Sequence, residues 1–452
     1  MHLGSEWDLR ATTRRRFTLA ALGWSASAAL LPPAKAAARI KVTEIETHRI
    51  TVEYEDWIAY QLNHFYGPSR RTVYVAHTDS GLIGLGEAEG EPDQETIRKY
   101  IGTSPFDWIG DDTSLPLGTA MYDLMGKATG VPVYKLFGQK YRSWVPVGCW
   151  TVSTHPRRMA QAVQEYSRRG YAWLKFHLSP FENIFDQLDA MQAVAPEGFK
   201  IHLDFTMGGT DDHMFNLLER LSSYRIMGCF EDPLPPTDLP GYIELRKRSR
   251  LPIVLHHSPL GSTQEVILRA ADVYMGGGSV GSIMRRAGLY AGANIPFMIQ
   301  NQGGNITRAM TTHMQAAFPT ADFHFFSDTE SWKTDVVAER LEPVNGLLRV
   351  PESPGLGVTL DRAALKRGVD LRLPEQPKWI IKSRFKNGTR MFHIANPKQA
   401  IFMVRPDVRR LMPMSYASPI STEWWDDDGS QAYKDMSARI EREGAVLERS
   451  VP

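Results

Sequence analysis

From about residue 145 onward, short apolar runs recur along the chain, each followed by a stretch with amphipathic helical spacing. The runs are VPVGCWTV, AWLKFHLS, KIHLDFT, IMGCFEDP, PIVLHHSP, ADVYMGG, IPFMIQNQ and ADFHFFSD. Unbroken apolarity marks strands buried on both faces, and strands alternating with helices mark a parallel sheet. The pattern predicts a parallel (β/α) barrel over residues 141–345, with its chemistry at the C-terminal ends of the strands. Ahead of it, IKVTEIETHRITVEY and RTVYVAHTDSGLIGLGEAEG alternate like strands of an α+β lobe, residues 38–140, with Asp79-Ser80-Gly81 as a hairpin turn. Between those strands, DWIAYQLNHFYGPSR is aromatic and polar without a clean period, and reads as a loop covering a small-molecule site. The run LGTAMYDLMGK has helical spacing, closed by Gly130 with Pro132 beyond. Residues 346–452 end in STEWWDDDGSQAYKDMSARIEREGAVLERS, an aromatic and acidic cluster followed by a helical run. That segment suits packing on the lobe, bridging subunits, or a solvated surface helix.

Composition narrows the classes. The 452 residues are 42% hydrophobic and 23% charged, as in a globular protein, and no short repeat is evident. Lys and Arg number 52 against 51 Asp and Glu, which leaves no basic excess for nucleic acid. Cys149 and Cys229 are too few for a disulfide framework and lack metal-ligand spacing, so both read as small buried hydrophobes. Residues 1–37 differ from the rest: Arg14, Arg15 and Arg16 precede Phe17, an Ala-rich apolar stretch and Ala34-Lys35-Ala36. That order predicts a twin-arginine signal peptide and a periplasmic address for a protein exported already folded. No other segment has 18 uninterrupted apolar residues, so no membrane association is expected after signal removal.

Polar side chains gather at the predicted strand ends: Lys175, His177, Asp204, Glu231, His256 and His257. Asp204 precedes Glu231 by 27 residues, and Glu231 precedes His257 by 26. Each interval is about one strand–helix unit, so the three side chains rise from neighbouring strands around one mouth. A single such residue is commonly a solvated strand end; two carboxylates and an imidazole in step argue for a divalent cation.

The chain resembles the enolase superfamily, in its mandelate racemase/muconate lactonizing enzyme branch. VYVAHTDSGLIGLGEAEG and AMYDLMGKATGVPVYKLFG are similar to the branch's capping-domain hairpin and the helix leading into its barrel. WLKFHLS, IHLDFT and CFEDPL resemble its second, third and fourth barrel strands. The resemblance implies an α/β fold, a (β/α)7β-type modified TIM barrel with an N-terminal α+β capping domain. It implies metal ligands at Asp204, Glu231 and His257, where the branch has a third carboxylate, with His256 facing the barrel wall. Magnesium is the ion the resemblance implies; an imidazole ligand also accommodates manganese, zinc or iron. Lys175 and His177 fall on the strand-two pair and become the catalytic candidates. Tyr60, His64 and Tyr66 of the aromatic segment, with Gln300 and Asn301 on strand seven, are the expected substrate contacts.

The departures matter as much. Gly276-Gly277-Gly278 occupies the place of an acidic residue after strand six, and Gln300 that of the strand-seven histidine, so the racemases' His-Asp dyad is missing. Ser327 and Asp328 stand where strand eight often carries a glutamate. A base on one side favours one-sided chemistry: removal of the proton α to a carboxylate, with dehydration of a sugar acid to a 2-keto-3-deoxy acid. The alternatives are a racemase or epimerase of a carboxylic acid, and a non-catalytic periplasmic binding protein on a decayed scaffold. The expected partners are a small-molecule carboxylate and, in a homo-oligomer, further copies of the chain.

Overall fold

The computed structural model describes residues 40–179, 182–206, 211–258, 261–394 and 420–449. The expected signal peptide, residues 1–37, lies outside them. The first lobe is a three-stranded antiparallel sheet of β1 (Val42–Val52), β2 (Ser69–Thr78) and β3 (Ile83–Ala88). Helix α2 (Leu115–Thr129) lies across it. The glycines of the GLIGLG stretch make that approach possible. A Cβ on Gly86 would sit 2.0 Å from the Pro116 carbonyl oxygen, and one on Gly84 2.3 Å from that of Ala120. Asp123 of α2 is fully buried and accepts from the backbone N–H groups of Leu85 and Leu356, tying the lobe to the segment after the barrel.

The expectation of a loop over residues 56–66 is corrected: this segment is helix α1 (Asp56–Tyr66). Ile58, Leu62 and Phe65 provide the helical stripe that buries. Gln61 and His64 are buried on the same side, and these polar members of the buried face obscured the period.

The barrel strands are β4 (Cys149–Trp150), β5 (Trp173–His177), β6 (Lys200–Asp204), β7 (Met227–Glu231), β8 (Ile253–Leu255), β9 (Val273–Gly276) and β10 (Phe297–Ile299). They form one parallel sheet in sequential order. The eighth run closes the ring through single parallel bridges, Phe325 to Val147 on one side and Phe326 to Gln300 on the other. Helix α3 (Val280–Ala293) follows β9. Register levels the strand ends, pairing His177 with Asp204 and Asp204 with Glu231. One layer below, Lys175 pairs with His202 and His202 with Cys229. Paired positions in a parallel ladder share a face, so these two rows are consecutive layers of one side-chain stack.

After the barrel comes a four-stranded antiparallel sheet, ordered β13 (Ile420–Asp426), β11 (Trp379–Phe385), β12 (Arg390–Ile394), β14 (Val446–Glu448). Helix α4 (Gln431–Glu443) covers it through Tyr433, Met436 and Ile440, packed on Ile380, Phe392 and Val446. The sheet docks on α1: Trp424 stacks on Tyr60 at 5.7 Å between ring centroids, and Trp379 meets the His64 ring edge-on at 5.5 Å. Among the described residues no helix is long and apolar enough to cross a membrane.

Candidate active site

Four charged or titratable side chains meet at the ends of β5, β6 and β7. Lys175 Nζ lies 2.6 Å from Glu231 Oε2 and 3.0 Å from Asp204 Oδ2, and His177 Nε2 lies 3.0 Å from the same Asp204 oxygen. Beneath them His202 Nε2 approaches Glu231 Oε2 at 2.7 Å, and His202 Nδ1 is 2.9 Å from His324 Nε2. Burial opposes charge on all of these groups, and mutual attraction decides which stay charged. Burial pulls the Lys175 ammonium down, but Asp204 and Glu231 outweigh it and hold its pKa above the ordinary lysine value. Burial and Glu231 both push Asp204 up, yet Lys175 and His177 hold it at about 2. Glu231 is raised by burial and brought well below the usual carboxylate range by Lys175 and by hydrogen bonds from His202 and His256. His202 and His324 are lowered by burial, so this edge-on pair is neutral at pH 7, one ring donating to the other.

The two adjacent histidines divide. His256 Nδ1 lies 3.1 Å from Glu231 Oε1, whereas His257 Nδ1 pairs with Asp232 Oδ2. The expectation was His257 as the ligand and His256 toward the wall; here it is the His256 ring that meets Glu231, and the His257 ring that meets Asp232. The reason is register: Glu231 pairs with Val254, so alternation puts Val254 and His256 on the Glu231 face and His257 on the other. Asp232, fully buried, turns left-handed at φ 43° immediately after Glu231. That conformation costs on the order of 1–3 kcal/mol for a non-glycine residue. It places the Asp232 carboxylate to accept from the His256 backbone N–H at 2.8 Å as well as to face the His257 ring.

Asp204 Oδ2 and Glu231 Oε2 already converge on one cation, the Lys175 ammonium, with the His256 imidazole on the other Glu231 oxygen. Two carboxylates and an imidazole at neighbouring strand ends suit a divalent ion by their chemistry. Among the described residues the ligand atoms that already converge here are those of Asp232, His256 and His257, while Asp204 and Glu231 close on Lys175.

A cavity of about 210 Å³ opens above this group, lined by Tyr66, Lys175, His177, Asp204, His257 and Gln300 among others. Asn301 lines an adjoining cavity of about 460 Å³ that shares His256, His257 and Gln300 with the first. Tyr60 and His64, expected as substrate contacts, line neither cavity. Both reach the carboxylate of Asp426 instead, His64 Nε2 at 2.6 Å and Tyr60 Oη at 3.2 Å. They anchor the C-terminal sheet. Asp328, on the eighth run, faces the Arg71 guanidinium at 3.3 Å. Burial raises its carboxyl to about 8 against the pull of Arg71.

Residues 158–364 match the family described as enolase C-terminal domain-like. Over that span the chain is similar to the enolase superfamily. Among the proteins similar to this chain, a D-gluconate dehydratase from Thermoproteus tenax is 24% identical over 364 residues, covering 68% of this chain and 72% of its own. A D-xylonate dehydratase from Haloferax volcanii is 27% identical over 351 residues, covering 64% and 83%. A crystal structure of an enolase from Pseudomonas fluorescens, with bound magnesium, potassium and tartrate, superposes with a TM-score of 0.61. It is 18% identical and covers 73% of this chain and 92% of its own, a likeness of fold. Sequence reasoning passed over Asp232, His202 and His324. His202 carried a usable signal, since it lies two residues before Asp204 and so shares its face.

Proposed function

We propose that this protein removes the proton α to a carboxylate and dehydrates a sugar acid to a 2-keto-3-deoxy acid. The observation that carries the reading is the row His177, Asp204 and Glu231, level at the strand ends with Lys175 beneath and a cavity above. His177 is the proposed base. It lines the cavity, its ring is oriented by Asp204, and an imidazole acts as a base near neutral pH. Lys175 is engaged by both carboxylates and held as an ammonium, so its proposed part is to fix their charge and position. A divalent ion on Asp204, Glu231 and His256, magnesium by family, would supply Lewis-acid stabilisation of charge developing on the substrate carboxylate. Tyr66 and Gln300 wall the cavity. The dehydratase names of the relatives in Thermoproteus tenax and Haloferax volcanii support the choice of dehydration over racemisation. The twin-arginine segment supports a periplasmic location, and assembly into homo-oligomers is proposed with it.

The test is an acid-sugar library in D₂O, read both by keto-acid detection and by exchange of the α-hydrogen. The expected result is keto acid from at least one acid, lost by about 10²-fold or more in His177→Asn. Exchange with stereoisomers and no keto acid would replace the lyase by an epimerase. Binding with neither signal would leave a non-catalytic binding protein.

A further inference from the structure

The larger cavity beside the proposed reaction centre carries a positive charge that the proposed chemistry does not use. At the end of β9, Gly276 and Gly277 stand where the superfamily resemblance leads one to expect an acid. The absence of side chains there has a structural use. A Cβ on Gly276 would lie 2.7 Å from Arg286 Nη1 and 3.2 Å from its Cδ, so the guanidinium of α3 lies over the strand end in the space a side chain would take. Arg286 donates to the Gly277 carbonyl at 3.2 Å and has no ion pair among the described residues. Its neighbour across the cavity, Arg71, is matched by Asp328 at 3.3 Å and Glu89 at 3.4 Å. Two buried donors of residues lining the same cavity, Asn301 Nδ2 and Arg71 Nε, have no acceptor among the described residues. Leaving such donors without a partner is costly in a folded protein. A planar guanidinium without a carboxylate partner, beside donors without acceptors, is an arrangement that recognises a carboxylate.

We propose that the substrate is a diacid of the aldarate type, with one carboxylate at the β5–β7 strand ends and the second on Arg286. The inference rests on the proposed α-proton chemistry for the placement of the first carboxylate. The continuity of the two cavities through His256, His257 and Gln300 lets one short polyhydroxy chain span them. The end of strand six thus selects by charge: a cation in that position attracts the second carboxylate, where an acid would repel it.

The experiment is calorimetric binding to the full chain with matched probes that differ only in the terminal group: D-glucarate against D-gluconate, galactarate against galactonate, and tartrate against threonate. The wild type should bind at least one diacid on the order of 10-fold more tightly than its monoacid partner. Arg286→Gln should erase that difference, and Arg286→Lys should retain part of it. Arg285→Gln should retain all of it, because Arg285 is exposed and pairs with Asp112 at 2.7 Å outside the cavity. Absence of a diacid preference in the wild type, or a preference that survives Arg286→Gln, overturns the proposal. Its failure is separable from that of the function: diacid binding without keto acid or exchange sinks only the lyase, whereas equal use of monoacids with keto-acid release sinks only the second carboxylate.

Discussion

Replacing Lys175 by Met tests the electrostatic core of the site. The ammonium sits 2.6 and 3.0 Å from two carboxylates, with all three side chains at most 5% exposed. At an effective dielectric of about 20, each contact is worth roughly 5–6 kcal/mol of Coulomb attraction. Desolvation of the three charges takes back much of this. Breaking a buried pair by removing one partner costs about 3–5 kcal/mol, because a buried charge is left uncompensated. In the native protein Asp204 at about 2 and the lowered Glu231 contribute stability that is present above the unfolded carboxylate range near pH 4 and lost as pH falls below it. Without Lys175 the sign reverses: burial and mutual repulsion raise both carboxyls, and the penalty grows as pH rises through their new values. Lys175→Met should therefore be less stable than wild type by about 3–5 kcal/mol at pH 8 in chelator. The deficit should be smaller at pH 5, and saturating Mn²⁺ or Mg²⁺ should reduce it at pH 8. Urea unfolding at both pH values, with EDTA or with metal, measures all three. A deficit below about 1 kcal/mol at pH 8, or one equal at both pH values, would refute the reasoning.

The division of the two histidines predicts that His256→Ala lowers divalent-ion affinity by about 10–100-fold or more, whereas His257→Ala has a smaller effect; titration calorimetry with Mn²⁺ compares them. Trp379→Ala, at a residue 2% exposed, should cost about 3–5 kcal/mol and raise amide exchange across residues 56–66, which hydrogen-exchange mass spectrometry resolves. Asp426→Asn should weaken the same docking by about 1 kcal/mol while leaving binding in the cavity unchanged. Changing Arg14 and Arg15 to Lys should leave the protein in the cytoplasm, and fractionation of cells expressing both forms checks this.

The barrel was legible because strands buried on both faces leave unbroken apolar runs that need no knowledge of their neighbours. Asp204 and Glu231 were legible for a related reason, since each ends such a run. The choice between His256 and His257 was not, because parity depends on how β8 pairs with β7, and Glu231 opposite Val254 is a tertiary fact. Asp232 was hidden by its neighbour: only the left-handed turn after Glu231 turns its carboxylate toward the histidines. Helix α1 was not legible because its buried face includes the polar Gln61 and His64, and the partner of His64, Asp426, arrives from far along the chain. Arg286 carries no signal in the sequence, and only the bare backbone at Gly276 shows the space it fills.

The contact between His64 and Asp426 spans 362 residues. Helix α1 leaves the ribosome long before the strand that covers its aromatic face. Closing so long an interval gives this part of the molecule a high contact order and makes its completion a late folding event. Until β13 arrives, Trp379, Phe65 and the ring of Tyr60 lack the Trp424 indole that packs against them. A nascent or truncated chain ending before residue 420 would therefore carry an uncovered aromatic patch beside an otherwise finished barrel, a surface for chaperones and for aggregation.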